Sequence, residues 1–227
     1  MKIDFPEPLD SLFSLETGSA TIFFGAAGTG KTNICLILAL ECVKKGGKVA
    51  YIDTEGGFSA ERIRQLSGAD NITNILYRMT LLEPKNFGEQ GKVVRSLEKE
   101  NFDFIVLDST VALYRLEHHQ EANKIEISEH NRELSRQLSI LSNISRDKKI
   151  PVLLTAHTYK NWDTGENEIV GGDPLKYWSK SIVFLEKTGK TSERKATIVK
   201  HRSQPEGKAV KFFIVENGIK PAGFRIF

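Results

Sequence analysis

The sequence predicts an α/β fold, with a mostly parallel central sheet covered by helices and antiparallel strands added at its C-terminal end. Three observations predict it. Short runs of β-branched and aliphatic residues recur through the first two thirds without alternating polarity, as strands buried on both faces read. Helical segments separate those runs, which is the βα pattern of a parallel sheet. After about residue 175 the strand-like runs follow one another across short turns such as Thr188-Gly189-Lys190, the pattern of antiparallel pairing.

Taken in order, Thr21-Ile22-Phe23-Phe24 reads as a short apolar strand, and Lys31 to Lys45 as a helix with Ile34, Leu38 and Val43 facing inward. Val49-Ala50-Tyr51-Ile52 is a second strand that ends in Asp53-Thr54-Glu55-Gly56-Gly57, and Ser59 is placed to cap the helix that follows. Ile72 to Tyr77 reads as an edge strand and Gln90 to Glu100 as a helix. Phe104 to Leu107 is a buried strand ending in Asp108-Ser109. A long helix is expected over roughly 121–146, with Ile127, Leu134, Leu138 and Leu141 close to helical spacing, before the buried strand Pro151 to Thr155. Ser181 to Leu185, Ala196 to Lys200 and Val210 to Val215 are the candidate antiparallel strands.

Composition narrows the class. With 227 residues, 40% of them hydrophobic and 27% charged, the chain is expected to fold as one domain over residues 1–227. The longest apolar run, Ile34 to Leu40, is seven residues, against the ~18 that a membrane span needs. The opening Met1-Lys2-Ile3-Asp4-Phe5-Pro6 has no apolar stretch and is not expected to be a secretion signal. Cys35 and Cys42 would stand ~10 Å apart along one helix, too far for a disulfide, and are expected to be reduced, buried thiols of a cytoplasmic protein. The net charge of +3 is unevenly spread: Lys176 to Lys211 holds ten Lys/Arg and three Asp/Glu, or +7, which leaves −4 for the remainder. A basic C-terminal third suits a polyanion partner, and a solvated lysine-rich hairpin face is the alternative.

The chemistry is concentrated at the strand ends. Gly25-Ala26-Ala27-Gly28-Thr29-Gly30-Lys31-Thr32 fits the phosphate-binding loop G-x-x-x-x-G-K-[ST], and it lies between an apolar strand and an apolar helix, as that motif requires. Glycines permit close backbone approach, successive N–H groups can face phosphate oxygens, and the helix adds its positive end. Lys31 is then expected to reach the β- and γ-phosphates and the Thr32 hydroxyl to ligate Mg²⁺, with Asp108 completing the metal site from its strand end. Asp53 and Glu55 are both candidates for orienting the attacking water, with an N-cap or loop acid as the other role, and spacing does not separate the two. His157, after a buried strand, stands where a γ-phosphate sensor would be, with a partly exposed loop histidine as the alternative. His118-His119 is expected to be solvent-exposed. The stretch Thr158 to Leu175 shows no clear period and is flanked by Tyr159, Trp162, Tyr177 and Trp178, which could stack on bases, with core packing the alternative for Tyr177 and Trp178. Its acids Asp163, Glu166, Glu168 and Asp173 oppose Lys160 and argue against phosphate contact by this stretch.

Four elements occur together in order: the phosphate loop, Tyr51 to Gly56 followed by Glu61-Arg62, Leu107-Asp108-Ser109, and Pro205-Glu206-Gly207 before the last strand. Together they resemble the RecA/RadA recombinase ATPase core, over nearly the whole chain. The resemblance implies a RecA-like P-loop NTPase fold that binds ATP and Mg²⁺. It implies that Glu55 activates water and that Arg62 lies against the adenine. It places the first DNA-binding loop at Tyr114 to Lys124 and the second at Thr158 to Leu175. It also implies that Lys200-His201-Arg202-Ser203-Gln204-Pro205 forms the cap that touches nucleotide across a subunit interface.

The departures shape the expected function. The recombinase's helical N-terminal domain and polymerisation linker have no room in the twenty or so residues before the first strand, which argues against a filament and leaves the oligomeric state open. His157 replaces a glutamine that couples phosphate to the DNA loop, and Lys200-His201-Arg202 replaces an acidic start to the cap. The expectation is therefore a weak ATPase and DNA-binding accessory of recombination and repair, without strand exchange of its own. By resemblance its partners are the RadA recombinase and a Holliday-junction resolvase. The alternative is a KaiC-like signalling ATPase whose partner is protein alone.

Overall fold

The computed structural model describes residues 2–118, 124–162, 165 and 167–222. Its centre is a nine-stranded sheet in the order β11-β10-β9-β8-β1-β5-β4-β2-β3. The strands are β1 (Ala20–Gly25), β2 (Val49–Asp53), β3 (Met79–Leu82), β4 (Phe104–Asp108), β5 (Val152–Ala156), β8 (Ser179–Lys187), β9 (Glu193–Lys200), β10 (Ala209–Val215) and β11 (Gly218–Pro221). Two short strands, β6 (Thr158–Lys160) and β7 (Asn167–Ile169), pair apart from it. β8, β1, β5, β4, β2 and β3 run parallel, so their C-terminal ends share one edge. β1, β2, β4 and β5 have their residues fully buried along their lengths, which is why those runs are apolar without alternation.

Successive residues of each strand feed opposite faces. Phe23, Tyr51, Val106 and Leu153 join one core with the helices α1 (Lys31–Lys44), α2 (Ala60–Ser67) and α3 (Thr73–Leu76). Ile22, Ile52, Leu107 and Leu154 join the other, with α4 (Phe87–Ser96), α5 (Ala112–His118), α6 (Lys124–Lys148) and α7 (Gly172–Trp178). Both cysteines are free and buried in the first core, where burial pushes the Cys42 thiol up to about 12 and Cys35 up as well. No helix among the described residues is long and apolar enough to cross a membrane.

The structure corrects several boundaries. Ile72 to Tyr77 is not an edge strand: Thr73–Leu76 is a helical turn, started by the Asn71 side chain accepting the Thr73 N–H. Ile72, Ile75 and Leu76 are spaced i, i+3, i+4, which suits one face of a turn, and the true edge strand begins at Met79, opposite Val49. The helix expected from Gln90 starts at Phe87, where Asn86 caps it. The start of the long helix expected at Glu121 lies outside the described residues, which give α6 from Lys124. The first C-terminal strand pairs parallel with β1, so antiparallel pairing begins only between β8 and β9, and β11 was not expected. The stretch from Thr158 is not irregular but a hairpin, with Tyr159 opposite Glu168 and its hydroxyl bonded to that carboxylate, followed by α7.

The N-terminal segment is a further addition to the core. Ile3, Phe5, Leu9, Leu12, Phe13 and Leu15 are all buried, Ile3 bridges to Leu15, and Phe5 packs edge-on against Phe23 of β1. Truncating a fully buried leucine removes its transfer energy and leaves a cavity. Leu12→Ala should therefore lower unfolding free energy by about 2–5 kcal/mol, read from urea melts. A loss within ~0.5 kcal/mol would mean the segment does not belong to the cooperative fold.

Candidate functional site

The phosphate loop turns from the end of β1 into α1. Gly30, at φ 97°, occupies the N-cap of α1, a left-handed conformation that a side chain disfavours. Gly25 is required for a different reason: a Cβ there would lie 2.2 Å from the Leu185 carbonyl oxygen of β8. Lys31 is buried and donates to the Gly25 and Ala26 carbonyl oxygens at 2.8 and 3.1 Å. The Thr29 hydroxyl also donates to the Ala26 carbonyl at 2.8 Å, and the Thr29 N–H reaches it at 3.4 Å. Three donors thus crowd one peptide oxygen, a surplus of N–H and O–H groups suited to an anion. Burial lowers the Lys31 ammonium from its ordinary range.

Asp108 ends β4 with only 4% exposure. Its carboxylate accepts from Thr155 at 2.5 Å, from Tyr51 at 3.1 Å and from the Thr32 hydroxyl. Burial raises its pKa, and those three hydroxyls oppose the rise. A carboxylate and a hydroxyl held together beside the loop are hard oxygen donors, the type Mg²⁺ takes when phosphate and water complete its shell. The residues therefore fit the nucleotide and the metal expected here.

Asp53 and Glu55 divide their work. Asp53 is buried, and its carboxylate accepts the backbone N–H groups of Glu55, Gly56, Gly57 and Phe58 at 2.7–3.2 Å. It holds the turn after β2 and has little capacity left. Glu55 is half-exposed, and its Oε1 accepts from His157 Nε2 at 2.7 Å. That hydrogen bond, with the charges of His157 and Lys31 and a bond from Ser109, holds the Glu55 carboxyl below its ordinary range against the opposing effect of burial. The structure thus brings Gly25–Thr32, Glu55, Asp108 and His157 to one sheet edge.

Arg62 lies on α2 and is fully engaged by protein. It donates to Asn33 at 2.9 and 2.6 Å, to Gln65 at 2.9 Å, and to the carbonyls of Val215 and Glu216 at 3.1 and 2.5 Å. Two further contacts bear on the loop from distant strands. Ile214 of β10 covers Gly30, where a Cβ would meet its Cδ1 at 2.7 Å. Arg194 of β9 donates to the Gly28 carbonyl through Nε and Nη2 at 3.1 and 2.9 Å. No local motif marks either residue, since each is brought in by strand pairing.

The remaining candidates fall elsewhere. Lys200 follows Ile198 at the end of β9 opposite Ile182, toward the start of β8 and away from the loop edge. Its ammonium donates to the Lys176 and Ser179 carbonyls, His201 packs on Phe13 with ring centres 4.6 Å apart, and Arg202 reaches Glu16 at 3.3 Å. The cap is therefore remote from its own chain's phosphate loop. Trp162 is 93% exposed and Tyr177 71%, so neither is core, whereas Trp178 packs against the second core. The side chains of His118-His119 and part of Tyr114 to Lys124 lie outside the described residues.

A model of the Rad51 family matches residues 7–222. The "DNA repair and recombination protein RadB" of Methanococcoides burtonii is 43% identical over 219 residues, 94% of this chain and 95% of that one. Its namesake in Methanobrevibacter smithii is 39% identical over 229 residues, 96% of this chain and 95% of that one. A solved structure described as "Crystal structure of the RadB recombinase" superposes with a TM-score of 0.80 at 37% identity, covering 96% and 97% of the two chains.

The lowered pKa of Glu55 carries a pH signature. The unfolded chain takes up this proton near the ordinary value of 4.5 and the folded chain only at lower pH. The contribution is complete above that value and is lost as pH falls through the folded one. Glu55→Gln should therefore lose stability less steeply than wild type on acidification below pH 4.5, measured by urea midpoints. Parallel curves would mean the His157 contact adds nothing to folding.

Proposed function

The chain belongs to the Rad51 family and has its RecA-like fold, and we propose that it is an ATP- and DNA-binding accessory of recombination and repair. In this reading residues 1–227 act as a single RecA-like core in the cytoplasm, with weak Mg²⁺-dependent ATP hydrolysis and no strand exchange of its own. The observation that carries it is the convergence at one sheet edge of a donor-rich phosphate loop, the hydrogen-bonded Thr32–Asp108 pair and the Glu55 carboxylate.

The chemistry follows from those groups. The loop N–H groups and Lys31 hold the triphosphate, and Arg62, whose N–H groups are all taken up by protein, lies against the adenine as the family resemblance implies. Thr32 and Asp108 hold Mg²⁺, which when bound neutralises phosphate charge. Glu55 orients a water and accepts its proton as attack proceeds. Glu55 is ionised at neutral pH, as a carboxylate at or below its ordinary range must be, while His157 occupies one of its oxygens and slows the approach of water. DNA binding is supported by the +7 segment from Lys176 to Lys211, the exposed Trp162, Tyr159 and Tyr177, and the names of the relatives. The RadA recombinase and a Holliday-junction resolvase are the proposed protein partners.

Lys31→Ala should abolish ATP binding in titration calorimetry, whereas Glu55→Gln should bind ATP normally and lose phosphate release. Normal affinity in the first variant, or unchanged turnover in the second, would refute these assignments. For DNA, affinity for a fluorescent oligonucleotide should fall by about tenfold or more between ~50 and ~200 mM salt. Flat affinity, or ATP-dependent association with protein alone, would count against the DNA assignment.

A further inference from the structure

The phosphate loop is held from outside by a residue 166 positions further along the chain. Arg194 follows the first residue of β9, opposite Lys187 of β8, and this hairpin lies over the loop. Its Nε and Nη2 both donate to the Gly28 carbonyl, while Nη1 donates to the Glu193 carbonyl at 2.9 Å. The guanidinium is thus fixed at both ends, and two of its donors are spent on one peptide oxygen.

That oxygen matters because of the peptide it belongs to. The Gly28–Thr29 bond is trans, so its C=O and N–H point in opposite directions. With the carbonyl drawn outward to Arg194, the Thr29 N–H is turned inward, toward the Ala26 carbonyl where the Lys31 ammonium also points. Gly28 itself gives this peptide no restraint. It has φ 72° and no side chain, and the Lys187 ammonium stands 3.1 Å from where a Cβ would be. A glycine peptide without an external hold can rotate and present its carbonyl, rather than its N–H, to an anion.

We propose that Arg194 is a positioning residue of the nucleotide site, locking the Gly28–Thr29 peptide so that the Thr29 N–H faces the bound phosphates. This rests on the nucleotide-binding reading above. It makes the C-terminal β8–β9 hairpin part of its own chain's phosphate site, and the Arg194 charge itself need not touch the ligand. A short-range geometric lock is insensitive to salt, whereas a screened charge effect fades with it.

The test uses the full chain with Mg²⁺ and ATP or ADP in titration calorimetry at ~0.1 and ~1 M salt. Arg194→Ala should weaken both nucleotides by about tenfold, the loss of one such restraint, at both salt concentrations. Its nucleotide-free melting should stay cooperative. Arg194→Lys keeps the charge but offers no paired N–H groups, and should fall between wild type and the alanine variant. It carries the test by itself if the alanine variant does not fold. Wild-type affinity in either variant, or a loss that disappears at high salt, overturns the proposal. If wild type binds and Lys31→Ala does not, that result sinks only the role of Arg194. If wild type binds no nucleotide, the functional reading falls with it.

Discussion

A carboxylate buried at the end of an interior strand has to be satisfied, and much of the site is arranged around that need. Asp108 sits at the end of the interior strand β4, between β5 and β2 and removed from water, where an uncompensated charge would be costly. Its partners come from three other elements: Tyr51 from β2, Thr155 from β5 and Thr32 from α1. Each hydroxyl ties its element to the same point. The network therefore sets the relation between the first turn of α1 and the strand ends. The buried Lys31 ammonium lies in the same field and favours the ionised carboxylate.

The two acids after β2 show how neighbouring residues acquire different tasks. Asp53 lies directly beside Asp108 in the parallel register, yet its oxygens are consumed by four backbone N–H groups. This rigid turn projects Glu55 back over the edge, where His157 meets it from the end of β5. The result is one carboxylate that builds the loop and one that remains accessible for chemistry. Both are carboxylates at a strand end, and only the direction of the following backbone separates them.

The C-terminal strands are more than an extension of the sheet. Leu185 presses a carbonyl against Gly25, Ile214 covers Gly30, Arg194 holds Gly28, and the Val215 and Glu216 carbonyls anchor Arg62. The phosphate loop is thus clasped between α1 and strands from the last fifth of the chain. On the opposite edge, the basic cap is bound to the N-terminal segment through Phe13 and Glu16, so the two basic regions of the C-terminal third face different ends of the sheet.

Much of this was legible in the sequence wherever the signal is local. The phosphate loop, the buried strands β1, β2, β4 and β5 with the helices between them, the placement of Asp108 at a strand end and the buried thiols all follow from short-range patterning, because turns, apolar runs and helix starts are set by neighbouring residues. Ile72 to Leu76 has helical spacing, but one turn is too short for its period to outweigh the β-branched residues in it. The different surroundings of Asp53 and Glu55, the parallel pairing of β8, the burial of Phe5, Leu12 and Phe13, and the contact of Arg194 with Gly28 were decided only by tertiary structure. Each depends on which distant segment the folded chain brings alongside. Composition and spacing carry no record of such a contact until the backbone has been placed.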